Sequence, residues 1–323
     1  MRMSATQVIG LLGGVIVLGC IEGCALKTSD DADRFRQAIP LSNDVALAVP
    51  KSSGGSTSST KSLHTKGGDP SSAKYYQFTR DIADGVDGGT GEILGLVWLI
   101  VHSPPTSVSA HKAVWGPGNG DALDPVVYRM TVTEVSTHEY DYVLEGRPKG
   151  STSDGDFRAV LSGHGFGEDR PEHREGWFRL DNDAHNALDP ARAHDSRAVR
   201  VDFDLRSYPL SIKADVEPSP GKSGYFKVAV THDKDSGGAV DIAALGDIEA
   251  IKDGKLENVA LHSRWNASGA GRADVEITGG DLTVPKVDAT ECWSSIFARV
   301  YYTDTASYEP TTGSPSACAF AGK

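Results

Sequence analysis

The chain has 323 residues and a mass of 34.2 kDa, enough length for one large folded body or two ordinary ones. Hydrophobic residues make up 39% and aromatics 7%, a composition that excludes a bundle of membrane-spanning helices. The formal net charge of −12 repels phosphate backbones and anionic lipid surfaces, so no nucleic acid is expected as a partner.

The N-terminus reads MRMSATQ, then the apolar run VIGLLGGVIVLG, then Cys20. A basic start, an apolar core of about a dozen residues and a small residue before a boundary form an export signal, too short to span a bilayer. Val17-Leu18-Gly19-Cys20 resembles the lipobox of bacterial lipoproteins. The resemblance implies that residues 1–19 are a signal peptide and that Cys20 is acylated on its thiol and its new amine. The membrane, reached through that lipid, is then the first expected partner. Cys24 is the rival site, with the charged Glu22 inside its lipobox. Ile21 stands where an Asp marks inner-membrane retention in that family, which points to the outer membrane of a bacterial envelope.

Residues 20–72 hold no long apolar period and include the Ser/Gly/Thr/Lys-rich run 51–72, so they read as a flexible tether. About 50 such residues span roughly 40 Å on average. The remainder, 73–323, is expected to be a single β-rich domain.

Ser71 and Ser72 can cap a first helix over 73–83, followed by a patch containing Gly85, Gly88, Gly89 and Gly91. The patch lacks the spacing of a phosphate-binding loop, and a hinge or close helix packing accounts for it. Residues 93–101, ILGLVWLIV, are apolar on every side; we read them as a short buried helix covered on both sides.

From Lys112 onward the pattern is strand and turn. Tyr128, Met130 and Val132 alternate with polar residues, as do Tyr140, Tyr142 and Leu144. Phe178 and Leu180 follow, and the clearest case is 198–205, AVRVDFDL, with Val199, Val201, Phe203 and Leu205 on one side. Ile212, Ala214 and Val216 continue the series, then Phe226, Val228 and Val230, and finally Ala273, Val275 and Ile277. Alternation marks strands with one dry face. Turn pairs such as Lys149-Gly150, Asp253-Gly254 and Gly279-Gly280 separate them. Residues 183–193 read as a short mid-chain helix, and Ala-Leu-Asp-Pro recurs at 122–125 and 187–190 as a turn before a strand. The expected fold is mainly β: an antiparallel meander of about ten strands closing into a barrel or a curved half-barrel, with a sandwich as the alternative. The tail around 289–302 is expected to supply a final strand. Cys292 and Cys318 are expected to form a disulfide, worth roughly 3–4 kcal/mol for a loop of this length.

No Gly-x-Ser-x-Gly, Ser-x-x-Lys or His-Glu-x-x-His occurs, so no catalytic residue and no cofactor is expected. His164, His173, His185 and His194, with Asp181, Asp183 and Asp189 interleaved, are the one candidate metal cluster, although their spacing fits no template and scattered loop residues explain them equally. Asn266-Ala267-Ser268 reads as a hairpin turn.

In the order of its elements the chain resembles the half-barrel lipid and lipoprotein carriers of the bacterial envelope, and its paired-cysteine tail is similar to that of uncharacterised envelope lipoproteins. The first resemblance implies a hydrophobic small molecule or lipid as ligand, lined by Val199, Val201, Phe203, Ile212, Val228, Val230, Val275 and Ile277. The alternative is a structural or interaction lipoprotein in which those residues form a solid core and loops meet a protein partner, whose identity the residues do not reveal.

Overall fold

In the computed structural model, which describes residues 30–50, 73–118, 124–166, 175–193, 196–218, 224–247 and 255–322, the chain builds a single antiparallel sheet of fifteen strands. Two helices precede the sheet, α1 (Asp30–Gln37) and α2 (Lys74–His102). The strands begin with β1 (Ser107–Val108), β2 (Lys112–Gly118), β3 (Val126–Ser136), β4 (Glu139–Pro148), β5 (Arg158–Phe166) and β6 (Glu175–Asp181). Helix α3 (Asn182–Leu188) interrupts them, as expected for the mid-chain segment. Next come β7 (Ser196–Asp204), β8 (Leu210–Pro218), β9 (Tyr225–Asp233), β10 (Gly237–Gly246) and β11 (Glu257–Asn266). The series ends with β12 (Gly271–Gly279), β13 (Lys286–Trp293), β14 (Arg299–Asp304) and β15 (Thr312–Gly313).

Each strand pairs with its neighbours in sequence, so the meander is strict. The sheet is not closed, which sets aside the closed barrel, and it is one sheet and not the two of a sandwich. The count exceeds the expected ten because several strands carry glycine or polar residues at inward positions. In β5 these are Gly163 and Gly165, in β11 Glu257 and Ser263, and in β13 Glu291, so apolar alternation is broken where pairing is intact.

Three of the inward glycines face an aromatic ring across the ladder. Gly163 lies opposite Tyr142, Gly238 opposite Trp265 and Gly271 opposite Trp293. A Cβ on Gly163 would sit 2.3 Å from the Tyr142 ring, and one on Gly271 2.3 Å from Trp293. The missing side chain is therefore the space in which the ring lies, an arrangement that covers a strand glycine with apolar surface.

Helix α2 is continuous from Lys74 to His102, running through the glycine patch without a break. At 29 residues it is about 43 Å long. It touches β2 and β3 near one end of the sheet and β12 and β13 near the other. Burial follows a helical stripe of Tyr75, Tyr76, Thr79, Ala83, Thr90, Leu94, Val97 and Val101, while Trp98 and Leu99 are 45% and 63% exposed. The expectation that 93–101 is covered on all sides is thus corrected. Among the described residues no helix is long and apolar enough to cross a membrane.

Both ends of α2 are held by charges of the sign its dipole favours. At the N-terminus the buried Glu291 of β13 accepts from the backbone N–H of Lys74 (2.9 Å), Tyr75 (2.6 Å) and Tyr76 (3.3 Å). Burial pushes the Glu291 carboxyl up, against the pull of Arg299, whose Nε donates to it at 2.8 Å. At the C-terminus, Arg36 donates from Nε to the Val101 carbonyl at 2.6 Å.

Arg36 belongs to an arm that was expected to lie in the tether. Residues 30–50 are part of the folded body instead: Ala32, Phe35, Ile39, Val45, Leu47 and Val49 are all buried. Ala32, Phe35 and Ile39 fall at helical spacing and Val45, Leu47 and Val49 alternate, but each run is too short to stand out from a tether. Cys20 and residues 51–72 lie outside the described residues. Cys292 and Cys318 form a disulfide with Cα atoms 5.3 Å apart.

Candidate functional site

A cavity of about 520 Å³ opens between the second half of α2 and the segment of sheet next to α3. One wall is the helix, through Gly89, Gly91, Ile93, Gly95, Leu96 and Leu99; the facing wall is Val126, Tyr128, Val160 and Leu180 of β3, β5 and β6. Its volume lies in the range of small-molecule sites, which are apolar with a few convergent polar groups.

The glycines of α2 explain why space exists here. A Cβ added to Gly85, Gly88, Gly89, Gly91 or Gly95 would meet no heavy atom within 4 Å. Close helix packing, the reason expected for the patch, is therefore not what these glycines serve, and the unbroken helix excludes a hinge in this conformation. Each costs about 1 kcal/mol of helix stability relative to alanine. With neither contact nor backbone conformation requiring them, what Gly89, Gly91 and Gly95 provide is room.

The polar end of the cavity comes from Glu92, Asp124, Asn182, His185, Asp189 and Arg192. Asp124 and Asp189 are the aspartates of the two Asp-Pro turns noticed in the sequence, and the fold brings them to one place. Asp181 caps α3 by accepting from the Ala184 N–H at 2.9 Å, which sets His185 on the helix facing the cavity. Leu188 ends the helix by packing onto Gly146 of β4, and the turn Pro190–Arg192 then carries Arg192 to the rim. Asp189 is buried, with a side chain 9% exposed. Among the described residues its carboxylate accepts no hydrogen bond, and its one ion-pair contact is Arg192 Nε at 3.8 Å. Burial pushes the Tyr128 phenol up to about 12; the charges of Asp189, Asp124 and Glu92 add to the rise and Arg192 opposes it.

The two described histidines of the candidate metal cluster, His164 and His185, lie on different elements. His164 lies on β5, with Nδ1 2.7 Å from Asp141 and Nε2 3.2 Å from Glu139, while His185 is at the cavity. His173 and His194 lie outside the described residues. Among the described residues no group of three or more His, Cys, Asp or Glu side chains is placed to hold a metal ion. Nor do the eight residues expected to line a ligand site reach this cavity: Val201, Phe203, Ile212, Val228, Val230, Val275 and Ile277 are buried in the core, and Val199 is partly buried against it. Alternation located the dry face of the sheet but not the place where that face is left uncovered.

A second hollow, of about 790 Å³, lies on the polar face of the sheet above Ala229, Ala243 and Ala260. Some of its polar groups meet one another, a His262 ring nitrogen with Asp241 at 2.6 Å, Arg272 with Asp274 at 2.7 Å and Lys227 with Asp215 at 3.6 Å. That hollow is lined by charged side chains of the polar face, so for an apolar ligand the cavity beside α2 is the stronger candidate. No protein-family model, no curated protein and no solved structure matches this chain.

Proposed function

We propose that this chain is a lipoprotein of the bacterial envelope, anchored through a lipid on Cys20 at the outer membrane, whose sheet curves around α2 as a half-barrel and binds a hydrophobic molecule in the cavity between them. The anchor rests on the lipobox residues 17–20. The curvature rests on one helix touching both β2–β3 and β12–β13. The observation that carries the binding role is the set of uncontacted glycines on the cavity wall of α2. They lower helix stability and leave room beside an apolar surface, which suits a site that must stay open.

The test is to fill that room. Gly95→Leu is expected to raise the thermal midpoint, because glycine is about 1 kcal/mol worse than a good helix former. It is also expected to remove hydrophobic ligand from the purified full chain, as read by native mass spectrometry and lipid extraction. A wild-type protein that carries no lipid and takes up no neutral naphthylamine dye overturns the binding role. For the anchor, radiolabelled palmitate should enter the wild type and be lost in Cys20→Ser; retained label moves the site to Cys24.

A second reading, an interaction lipoprotein with a solid core and partner contacts through its loops, draws on the full burial of Val230 and Ile277. It is favoured if Gly95→Leu leaves every binding readout unchanged.

A further inference from the structure

The cavity beside α2 has an apolar wall and an acidic end, where carboxylates outnumber cations. Asp189 is buried, yet among the described residues no donor lies within hydrogen-bond distance of its carboxylate. A carboxylate almost withdrawn from water, with its one cation as far off as 3.8 Å, gains from a closer charged donor. Asp189 lines the cavity, so a molecule seated there can be the partner. Asp124 and Glu92 line the same end, against Arg192 as the one full cation among the lining residues. His185 is a neutral or cationic neighbour according to its protonation.

We infer that the ligand is an amphiphile with an amine head: its apolar tail lies against Ile93, Leu96, Val160 and Leu180, and its ammonium group lies between Asp189 and Asp124. An ammonium brings N–H donors and a positive charge together to an end where three carboxylates face one arginine, and charge-assisted hydrogen bonds are the strong ones. A carboxylate head of the same size meets repulsion from the same groups. The elevation of the Tyr128 phenol, caused by burial and then by Asp189 and Asp124, reports the same negative field. The inference rests on the hydrophobic-ligand reading and adds the chemistry of the head.

The experiment is equilibrium binding of dodecylamine, dodecanol and dodecanoate to the full chain, at concentrations where each is monomeric. The three share one tail, so differences report the head. The amine is expected to bind at least about tenfold tighter than the alcohol, with the carboxylate weakest, and the gap is expected to shrink with added salt. Asp124→Asn with Asp189→Asn should bring the amine down to the alcohol while the alcohol stays within about twofold of wild type. If circular dichroism shows that this pair does not fold, Glu92→Gln, on the exposed side of α2, should still narrow the ratio. Equal affinity for all three probes, or tightest binding of the carboxylate, overturns the amine assignment and leaves the cavity reading standing. Binding of none of them sinks both.

Discussion

Glu291 shows how one side chain can hold two parts of the chain together. It lies at an inward position of β13, fully buried, and takes three backbone N–H groups of α2 and the Arg299 guanidinium. The first N–H groups of any helix have no partner within it, so a carboxylate there does what an N-cap side chain does elsewhere. Ala73, the residue at the cap position, makes no side-chain cap hydrogen bond. The Arg299 side chain is 1% exposed and reaches Glu309 at 2.7 Å, so loss of Glu291 leaves a buried guanidinium short of a partner. Glu291→Ala is therefore expected to cost about 3–5 kcal/mol, read as a lower urea midpoint at unchanged slope. An equal midpoint would show that α2 needs no cap from the sheet. In the sequence, Glu291 registers only as an interruption of strand alternation, since the helix it caps lies more than two hundred positions away.

At the scale of elements, glycine serves two opposite purposes in this molecule. In the sheet it makes space that an aromatic ring fills, as at Gly163 under Tyr142. In α2 it makes space that no side chain fills, as at Gly88 and Gly95. The same substitution is expected to change sign accordingly. Gly163→Ala forces a buried ring to move and should destabilise by about 1–3 kcal/mol. Gly88→Ala improves helix propensity without a clash and should stabilise by about 1 kcal/mol. Paired thermal melts of the two variants check this, and a shared sign would refute the distinction. A glycine read from sequence alone is silent on this point, because its role depends on what stands over it. Strand existence was legible where the inward positions were apolar over the whole strand, as in β3, β4, β8 and β9. It was illegible in β5, β11 and β13, where those positions hold glycine, serine or glutamate for reasons set by distant residues.

For the whole molecule, the N-terminal arm matters more than its composition suggests. Phe35 and Leu47 are fully buried, Arg36 caps the far end of α2, and Asp87 of α2 accepts from the Leu47 N–H at 2.8 Å. His232 of β9 completes the attachment by donating from Nε2 to the Leu47 carbonyl at 3.0 Å. Burial holds the His232 imidazole below its ordinary value of 6.5, despite the hydrogen bond to Leu47 and the nearby Asp233 and Asp87 carboxylates. A base with a depressed folded-state value binds fewer protons folded than unfolded, so it favours folding at higher pH. Its contribution is full above pH about 6.5 and is lost as pH falls through that value. The protein should therefore lose stability between neutral and mildly acidic pH. His232→Gln, which keeps a donor without a titratable ring, should flatten that part of the profile. Chemical denaturation at several pH values measures both, and an identical slope in the variant would clear His232 of the effect.

Alternation, turn chemistry and the cysteine pair determined by themselves that the chain is a β meander with a mid-chain helix and a C-terminal disulfide. These are local signals, written in residues that are neighbours or near neighbours along the chain. Only the tertiary structure decided that α2 is one helix, that the arm is core and that the cavity sits where it does. Each of those depends on contacts between residues far apart: β13 with the start of α2, the arm with its end, and two Asp-Pro turns that meet beside a row of glycines. Space inside a protein is a property of everything around it, and no single stretch of sequence contains it.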